Sequence, residues 1–173
     1  MLNRLFHTCL LLFLTGFSTL SQKDGEEYEL KAAFIYNFTK YVDWNSSLLK
    51  NEFIIGVVGP SPINDPLAKI AGTRIVNDKK ISLRQFNTLD EISYCHILFV
   101  SKETTLTLDA ILARVSSPGT LIIGEKSGYA KQGAAMNFVI INNKLKFEAN
   151  IRAINSASLK ASSQLLKLAI IIE

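Results

Sequence analysis

The side chains best suited to chemistry in this chain are two neighbours, Cys95 and His96. A thiol held beside an imidazole can act as the nucleophile and base of covalent catalysis. Both residues belong to the apolar run Cys95 to Val100, which is typical of a buried strand. Because neighbouring side chains on a strand point to opposite faces of the sheet, these two groups cannot bond to each other. The sequence therefore predicts a structural role for His96 and no thiol catalysis.

Other catalytic patterns are missing from the sequence. His, Cys and carboxylate residues do not cluster at the spacings that metal sites use. The segment Gly56-Val57-Val58-Gly59 lacks both the third glycine of a dinucleotide site and the Lys-Ser/Thr of a P-loop. We therefore expect a protein that is not an enzyme and that uses neither a metal nor a cofactor.

The first 21 residues have the order of a secretory signal peptide. Arg4 is followed by an apolar block from Cys9 to Leu14 and then by small or polar residues up to Ser21. The apolar block is shorter than the roughly 20 residues that a membrane-spanning helix needs. We expect cleavage near Ser21, export of the protein, and a mature domain formed by residues 22–173.

The composition is that of one globular domain. The chain has 48% hydrophobic and 20% charged residues, with 9 Gly and 4 Pro, so it can bury a core of its own. The formal net charge of +4 is too small to indicate nucleic-acid binding. Loss of residues 1–21 would leave Cys95 as the only cysteine, so we do not expect an internal disulfide.

Three continuous apolar runs predict strands that are covered on both faces: Phe53 to Val58, Cys95 to Val100 and Thr120 to Ile123. Helical patterns lie between them, which favours parallel strands. Asn142-Asn143 predicts a hairpin turn, and apolar residues at helical spacing after Asn150 predict one helix that reaches the C-terminus. The expected fold is a single three-layer α/β domain. It has a mostly parallel central sheet, a C-terminal antiparallel hairpin, and N- and C-terminal helices packed on the sheet.

The opening helix carries six aromatic residues, more than one buried face can hold. At 100° per residue, Phe34, Phe38 and Tyr41 share the predicted core face, while Tyr36 is turned well away from it. Tyr28 lies at the predicted start of the helix. Exposed tyrosines are enriched where proteins bind each other, so Tyr36 is a candidate for contact with a partner.

The order of several sequence blocks resembles the YfiR family of exported bacterial proteins. The segment Leu30 to Trp44 matches the family pattern KAAFxYNFxKxxxW. Further blocks follow at Cys95 to Val100, at Gly128 to Ala130 with Gly133 and Met136 to Phe138, and at Lys146 to Asn150 and Leu159 to Leu166. These blocks keep their order over nearly all of the predicted mature chain.

The resemblance implies a periplasmic α/β protein that is not an enzyme and is often dimeric. It implies a partner in the inner membrane, a diguanylate cyclase whose periplasmic sensor region the protein binds and restrains, with an influence on cyclic di-GMP and biofilm. The founding member of the family is stabilised by disulfides, whereas this mature chain keeps Cys95 alone. Redox sensing through an internal disulfide is therefore not expected here.

The resemblance also selects individual residues. Those that match the family signature, and that we expect to be mostly structural, are Phe34, Asn37, Phe38, Asn137, Phe138, Asn150, Ser162 and Ser163. Asn37 and Asn137 are expected near the core, where they would clamp loops by hydrogen bonds. The candidates for binding a partner or ligand are Tyr36, Trp44, Tyr129 and Lys131.

Two other functions remain open at this point. The protein could regulate a membrane histidine kinase rather than a cyclase. It could also be a periplasmic small-molecule binding module, in which the aromatic helix and a crevice at the end of the sheet hold a ligand.

Overall fold

The structure, a computed structural model, describes residues 18–44, 51–115 and 118–173. Most of the predicted signal peptide, residues 1–17, lies outside these ranges. The helices are α1 (Ser18–Tyr41), α2 (Asn64–Thr73), α3 (Leu108–Arg114), α4 (Tyr129–Gln132), α5 (Ile151–Ser156) and α6 (Ser163–Leu168). The strands are β1 (Val42–Asp43), β2 (Glu52–Val58), β3 (Ile75–Val76), β4 (Lys79–Phe86), β5 (Ile97–Val100), β6 (Leu121–Gly124), β7 (Met136–Ile141), β8 (Lys144–Asn150), β9 (Lys160–Ala161) and β10 (Ile170–Ile172).

Eight strands form one sheet in the order β10-β8-β7-β6-β5-β2-β4-β3. Its strands pair in parallel except for β3 with β4 and β7 with β8. The mostly parallel sheet and the antiparallel hairpin are therefore confirmed. A separate two-stranded ladder joins β1 to β9 in antiparallel fashion.

Helices cover both faces of this sheet. In β5, Ile97 and Phe99 belong to one hydrophobic cluster and Leu98 and Val100 to another, as the alternation of a strand requires. Residues of α1, α2, α5 and α6 complete the first cluster, and residues of α3 and α4 complete the second. Because the central strands are covered on both faces, their sequences are continuous apolar runs.

The hairpin turn lies where the sequence predicts it. Asn142 and Asn143 have φ of 52° and 57°, in the left-handed region that asparagine tolerates better than most residues. Ile141 pairs with Lys144 across the turn, so the loop has two residues and matches the right-handed twist of the strands.

The buried stripe of α1 differs from the predicted one. Tyr28 is 3% exposed, whereas Tyr41 is 39% exposed, so the prediction that Tyr41 shares a core face with Phe38 is wrong. The helix already begins at Ser18, so Tyr28 lies well inside it. At 100° per residue the stripe is centred on Ile35 and Tyr28, and Tyr41 falls about 120° to one side.

The prediction of a single C-terminal helix is also wrong. The chain forms α5, then β9, then α6 and finally β10. Ser158 adopts a positive φ of 58° and ends the helical path, and Lys160–Ala161 instead pair with β1. Asn155, Ser156 and Ser158 favour a helix less than alanine does, so pairing with β1 and β8 decides the conformation.

Candidate functional site

Cys95 and His96 lie just before β5 and point to different sides of the sheet. Cys95 belongs to the cluster beneath α3 and α4, while the His96 ring stacks on Phe53 in the opposite cluster. The prediction that the two side chains cannot form a catalytic pair is therefore confirmed by their placement. Both residues are 1% exposed.

Trp44, Phe53 and His96 form a buried cluster where β2 and β5 begin. The Trp44 Nε1 donates to the carbonyl oxygens of Gly119 at 3.0 Å and His96 at 3.3 Å. The backbone N–H of Ile54 donates to His96 Nδ1 at 2.9 Å. The Phe53 ring stacks on His96 with centroids 4.6 Å apart and meets Trp44 edge-on. These contacts join two neighbouring strands, so His96 has the predicted structural role.

We expect the Cys95 thiol to be nearly unreactive in the folded protein. Burial raises its pKa from the ordinary 9.0 to about 12. At pH 8 the thiolate fraction then falls about a thousandfold, and the reaction with a thiol reagent slows accordingly. Because the folded state holds this proton more tightly, the free energy of unfolding should fall as pH rises from about 9 towards about 12. The rate at which a thiol reagent labels Cys95, measured in buffer and in urea, tests the predicted low reactivity. Equal rates in the two solutions would contradict it, and urea denaturation at several pH values tests the predicted loss of stability.

Lys31 and Glu125 form a buried ion pair at the carboxyl end of β6. The Lys31 Nζ lies 2.5 Å from Glu125 Oε2, and the two side chains are 4% and 1% exposed. Lys31 also contacts Glu27 at 2.7 Å. Glu125 Oε1 accepts the backbone N–H of Lys102 at 2.9 Å and the hydroxyl of Tyr28 at 3.4 Å. Multiple partners are what a buried ion pair needs to offset its loss of hydration.

This network fastens α1 to the end of the sheet. Burial first, and then the Glu125 carboxylate, raise the pKa of the Tyr28 hydroxyl, so the hydroxyl remains a neutral donor. The sequence analysis did not select Lys31 or Glu125. A signal was present, because Lys31 lies four and seven residues before Ile35 and Phe38, on the apolar stripe of α1.

A second set of residues forms what we call the Tyr36 surface: Tyr36, Lys40, Tyr41, Arg74 and Lys160. The Lys40 Nζ lies 4.7 Å from the centroid of the Tyr36 ring, and the Arg74 guanidinium lies 6.0 Å from it. Tyr36 is half-buried and the other four residues are exposed. A shallow cleft of about 400 Å³ runs past Lys40, Tyr41 and Lys160.

The Tyr36 surface is basic and aromatic. Asp43 is the one carboxylate among the described residues that line its cleft, where Lys40 and Lys160 are the cations. Tyrosine and arginine are the residue types that most often dominate the energy of protein interfaces. Tyr36 therefore has a half-buried ring with the cationic groups of Lys40 and Arg74 within 4.7 and 6.0 Å of its centroid.

Of the other three predicted contact residues, Trp44 also lines the cleft of the Tyr36 surface, while Tyr129 and Lys131 lie in α4. Trp44 and Tyr129 are 3% and 7% exposed, so their rings offer little surface to a partner. Lys131 is exposed on α4, a short helix bounded by Gly128 and Gly133 with φ of 83° and 118°. Tyr36 and Lys131 are therefore the two candidates whose side chains reach the surface, and they lie on different helices.

The aromatic signature residues pack together under α1. Phe38, Phe138 and Phe147 are buried, and Phe34 lies half-buried against them. The ring centroids of Phe38 lie 5.0 Å from Phe147 and 6.1 Å from Phe138. These residues are structural.

The two signature asparagines have different environments. Asn137 is fully buried and its Nδ2 donates to Glu148 Oε2 at 3.0 Å, while its Oδ1 has no hydrogen-bond partner among the described residues. Asn37 is exposed and accepts from Lys40 at 3.4 Å, so its predicted place near the core is wrong. Position 37 lies on the outer face of α1, opposite the stripe centred on Ile35.

The remaining signature residues lie at helix starts. The Ser162 Oγ accepts the backbone N–H of Leu165 at 3.2 Å and caps α6. Ser163 is the exposed first residue of that helix. The Asn150 Oδ1 accepts the N–H of Ala153 at 2.9 Å, which confirms the predicted cap of α5.

Replacing Asn150 with alanine should lower the free energy of unfolding by about 1–2 kcal/mol, the usual cost of a lost helix cap. The Asn150 Nδ2 also donates to the Ala130 carbonyl at 2.8 Å. Asn150→Ser keeps a capping acceptor and loses that second bond without adding a charge, so its loss should be smaller. Urea denaturation of the native protein and the two variants measures the free energies of unfolding. Equal losses for both variants would contradict the capping role.

In the part of the chain that the structure describes, no three side chains of His, Cys, Asp or Glu come close enough together to hold a metal ion. No helix within residues 18–44, 51–115 and 118–173 combines the length and the apolar character needed to cross a bilayer.

Comparisons with known proteins place this fold. A comparison with curated proteins finds no match. The structure is similar to the crystal structure of a conserved domain protein from Vibrio cholerae, with a TM-score of 0.56 and 11% sequence identity. The match covers 84% of this chain and 60% of that chain, and at this identity it supports the fold alone. The sequence profile of the family described as DUF4154, YfiR/HmsC-like, matches residues 28–170, so the chain belongs to the YfiR/HmsC-like family.

Proposed function

We propose that this protein is an exported regulator that binds the periplasmic sensor region of an inner-membrane signalling protein. The observation that carries the proposal is the family match over residues 28–170. The signal-peptide pattern of residues 1–21 supports export to the periplasm. A diguanylate cyclase is the proposed partner, so the protein would lower cyclic di-GMP and disfavour biofilm.

Restraint of a membrane partner requires unequal binding to its two states. A regulator shifts an equilibrium between active and inactive forms only by the difference in its affinity for them. The protein would bind the inactive form of the sensor region more tightly, and the catalysis would belong to the partner. Contact is proposed through the Tyr36 surface, whose cations suit an acidic face on the partner.

Gene deletion tests the function. We expect a rise in cyclic di-GMP and in surface attachment, both reversed when the intact gene is restored. No change in either quantity, together with no membrane protein recovered by crosslinking, would contradict the proposal. A change in the output of a histidine kinase at constant cyclic di-GMP would identify a kinase as the partner instead.

Variants on the Tyr36 surface and on α4 test the proposed contact surface. Complementation with Tyr36→Ala/Arg74→Glu should fail to restore low cyclic di-GMP, because loss of an aromatic and cationic anchor weakens an interface by about 30-fold or more. Lys131→Glu reverses an exposed charge on α4 and should complement normally. The opposite pattern would move the contact to α4. Circular dichroism and thermal unfolding verify that both variants are folded.

Light scattering of the native protein tests the homodimer that the family resemblance implies.

A further inference from the structure

Strand β7 runs further than its neighbour β6 at the carboxyl end of the sheet. The last pair between them joins Gly124 to Asn137. β7 continues through Phe138 to Ile141, and these four residues pair with β8 on one side only. At about 3.3 Å per residue, the strand therefore has roughly 13 Å of length without a described strand on the β6 side.

A cleft of about 500 Å³ occupies that position. Its walls include all four consecutive residues from Phe138 to Ile141, together with Glu27 and Lys31 of α1 and Lys102 and Ser127 of the facing loops. Neighbouring side chains on a strand point to opposite faces. A cleft that touches four consecutive residues therefore meets the strand along its edge, where the backbone groups lie.

The hairpin register gives the direction of those backbone groups. The two-residue turn makes Ile141 and Lys144 a hydrogen-bonded pair, and pairing alternates along the ladder. Val139 with Lys146 is then the next hydrogen-bonded pair, while Ile140 with Leu145 is not. The N–H and C=O of Ile140 consequently point away from β8 and into the cleft, and the Ile140 residue is 52% exposed.

The charges around the cleft limit what it can hold. Three carboxylates, from Glu27, Glu125 and Glu148, and two ammonium groups, from Lys31 and Lys102, line it. Lys31 and Glu125 neutralise each other, so the remaining lining has a small negative excess. Apart from Ser127, the rest of the wall is apolar and comes mainly from β7 and β8.

We propose that this cleft binds an extended peptide segment, which adds to the free edge of β7 as a further strand. Main-chain hydrogen bonds to Ile140 hold the segment, as in other cases of strand addition. Its side chains are apolar where they meet β7, with a basic residue placed near Glu27 or Glu148. The proposal concerns how a peptide is recognised and does not depend on which protein supplies it.

A random peptide library displayed on phage and panned against the exported protein provides the probe. We expect enrichment of peptides that alternate apolar residues and carry a lysine or arginine. A synthetic copy of an enriched peptide is then methylated on one backbone nitrogen at a time. In strand addition, methylation at alternate positions should weaken binding about tenfold, and methylation at the intervening positions should have little effect.

Two variants of Ile140 locate the binding edge. Ile140→Pro removes the N–H that faces the cleft and leaves the ladder to β8 intact, a position where proline is tolerated. It should weaken binding at least about tenfold, whereas Ile140→Thr, which keeps the N–H, should bind within about threefold of the native protein. Three results would overturn the proposal. They are the absence of any enriched peptide, equal loss of binding at all methylated positions, and occupation of the cleft by a metabolite and not by a peptide.

Discussion

Replacing Lys31 with methionine is expected to lower the free energy of unfolding by about 3–5 kcal/mol, because it leaves a buried carboxylate without its counter-charge. Glu125 is 1% exposed at its side chain and lies 2.5 Å from the lysine Nζ. The backbone N–H of Lys102 and the hydroxyl of Tyr28 would still donate to it, but two neutral donors cannot replace an ammonium group. Urea denaturation monitored by circular dichroism measures the loss.

Two further variants isolate the buried charge as the cause. Lys31→Met/Glu125→Leu removes both charges, so it should recover most of the lost stability. Lys69→Met breaks a pair with Glu29 of similar length, 2.7 Å, whose side chains are 70% and 54% exposed. Exposed pairs contribute little, and we expect a loss below about 1 kcal/mol. A double variant less stable than Lys31→Met would contradict this explanation.

Replacing Phe38 with alanine should lower the free energy of unfolding by about 3–5 kcal/mol. The Phe38 side chain is fully buried between Phe138 and Phe147, with ring centroids 6.1 and 5.0 Å away. Removing it leaves a cavity that the surrounding strands can fill only in part. The same denaturation experiment measures the effect.

Tyr41→Ala is the matched control, because Tyr41 lies one turn further along α1 and is 39% exposed. Its loss should be below about 1 kcal/mol, within the range of surface substitutions. The sequence alone predicts equal burial for Phe38 and Tyr41. Comparable losses in the two variants would support that prediction and contradict the orientation of α1 in the structure.

Much of the fold follows from local patterns. The continuous apolar runs of β2, β5 and β6 require cover on both faces, and this alone predicts a parallel sheet between two helical layers. Asn142 and Asn143 predict the hairpin because few other residues tolerate the left-handed conformation. Asn150 predicts a helix start because its side chain can satisfy a free backbone N–H.

The residues of the candidate sites were harder to predict from the sequence than the fold was. Tyr36 could be selected because a helix wheel places it off the core face. The same periodicity misplaced Tyr41, since a pattern of apolar residues gives the stripe only approximately and packing sets its centre. Trp44 and Tyr129 were selected as aromatic residues, and no local pattern reveals that they are only 3% and 7% exposed.

What the sequence determined by itself is the class of the domain and the separation of the Cys95 and His96 side chains, because both depend on neighbours along the chain. What only the tertiary structure decided depends on residues far apart. Lys31 contacts Glu125, which lies 94 positions later in the chain. The C-terminal segment contains the strands β9 and β10 because β1 and β8 are available to pair with them. The open edge of β7 exists because β6 stops at Gly124. Such contacts depend on the relative lengths and positions of distant elements, which periodicity does not encode.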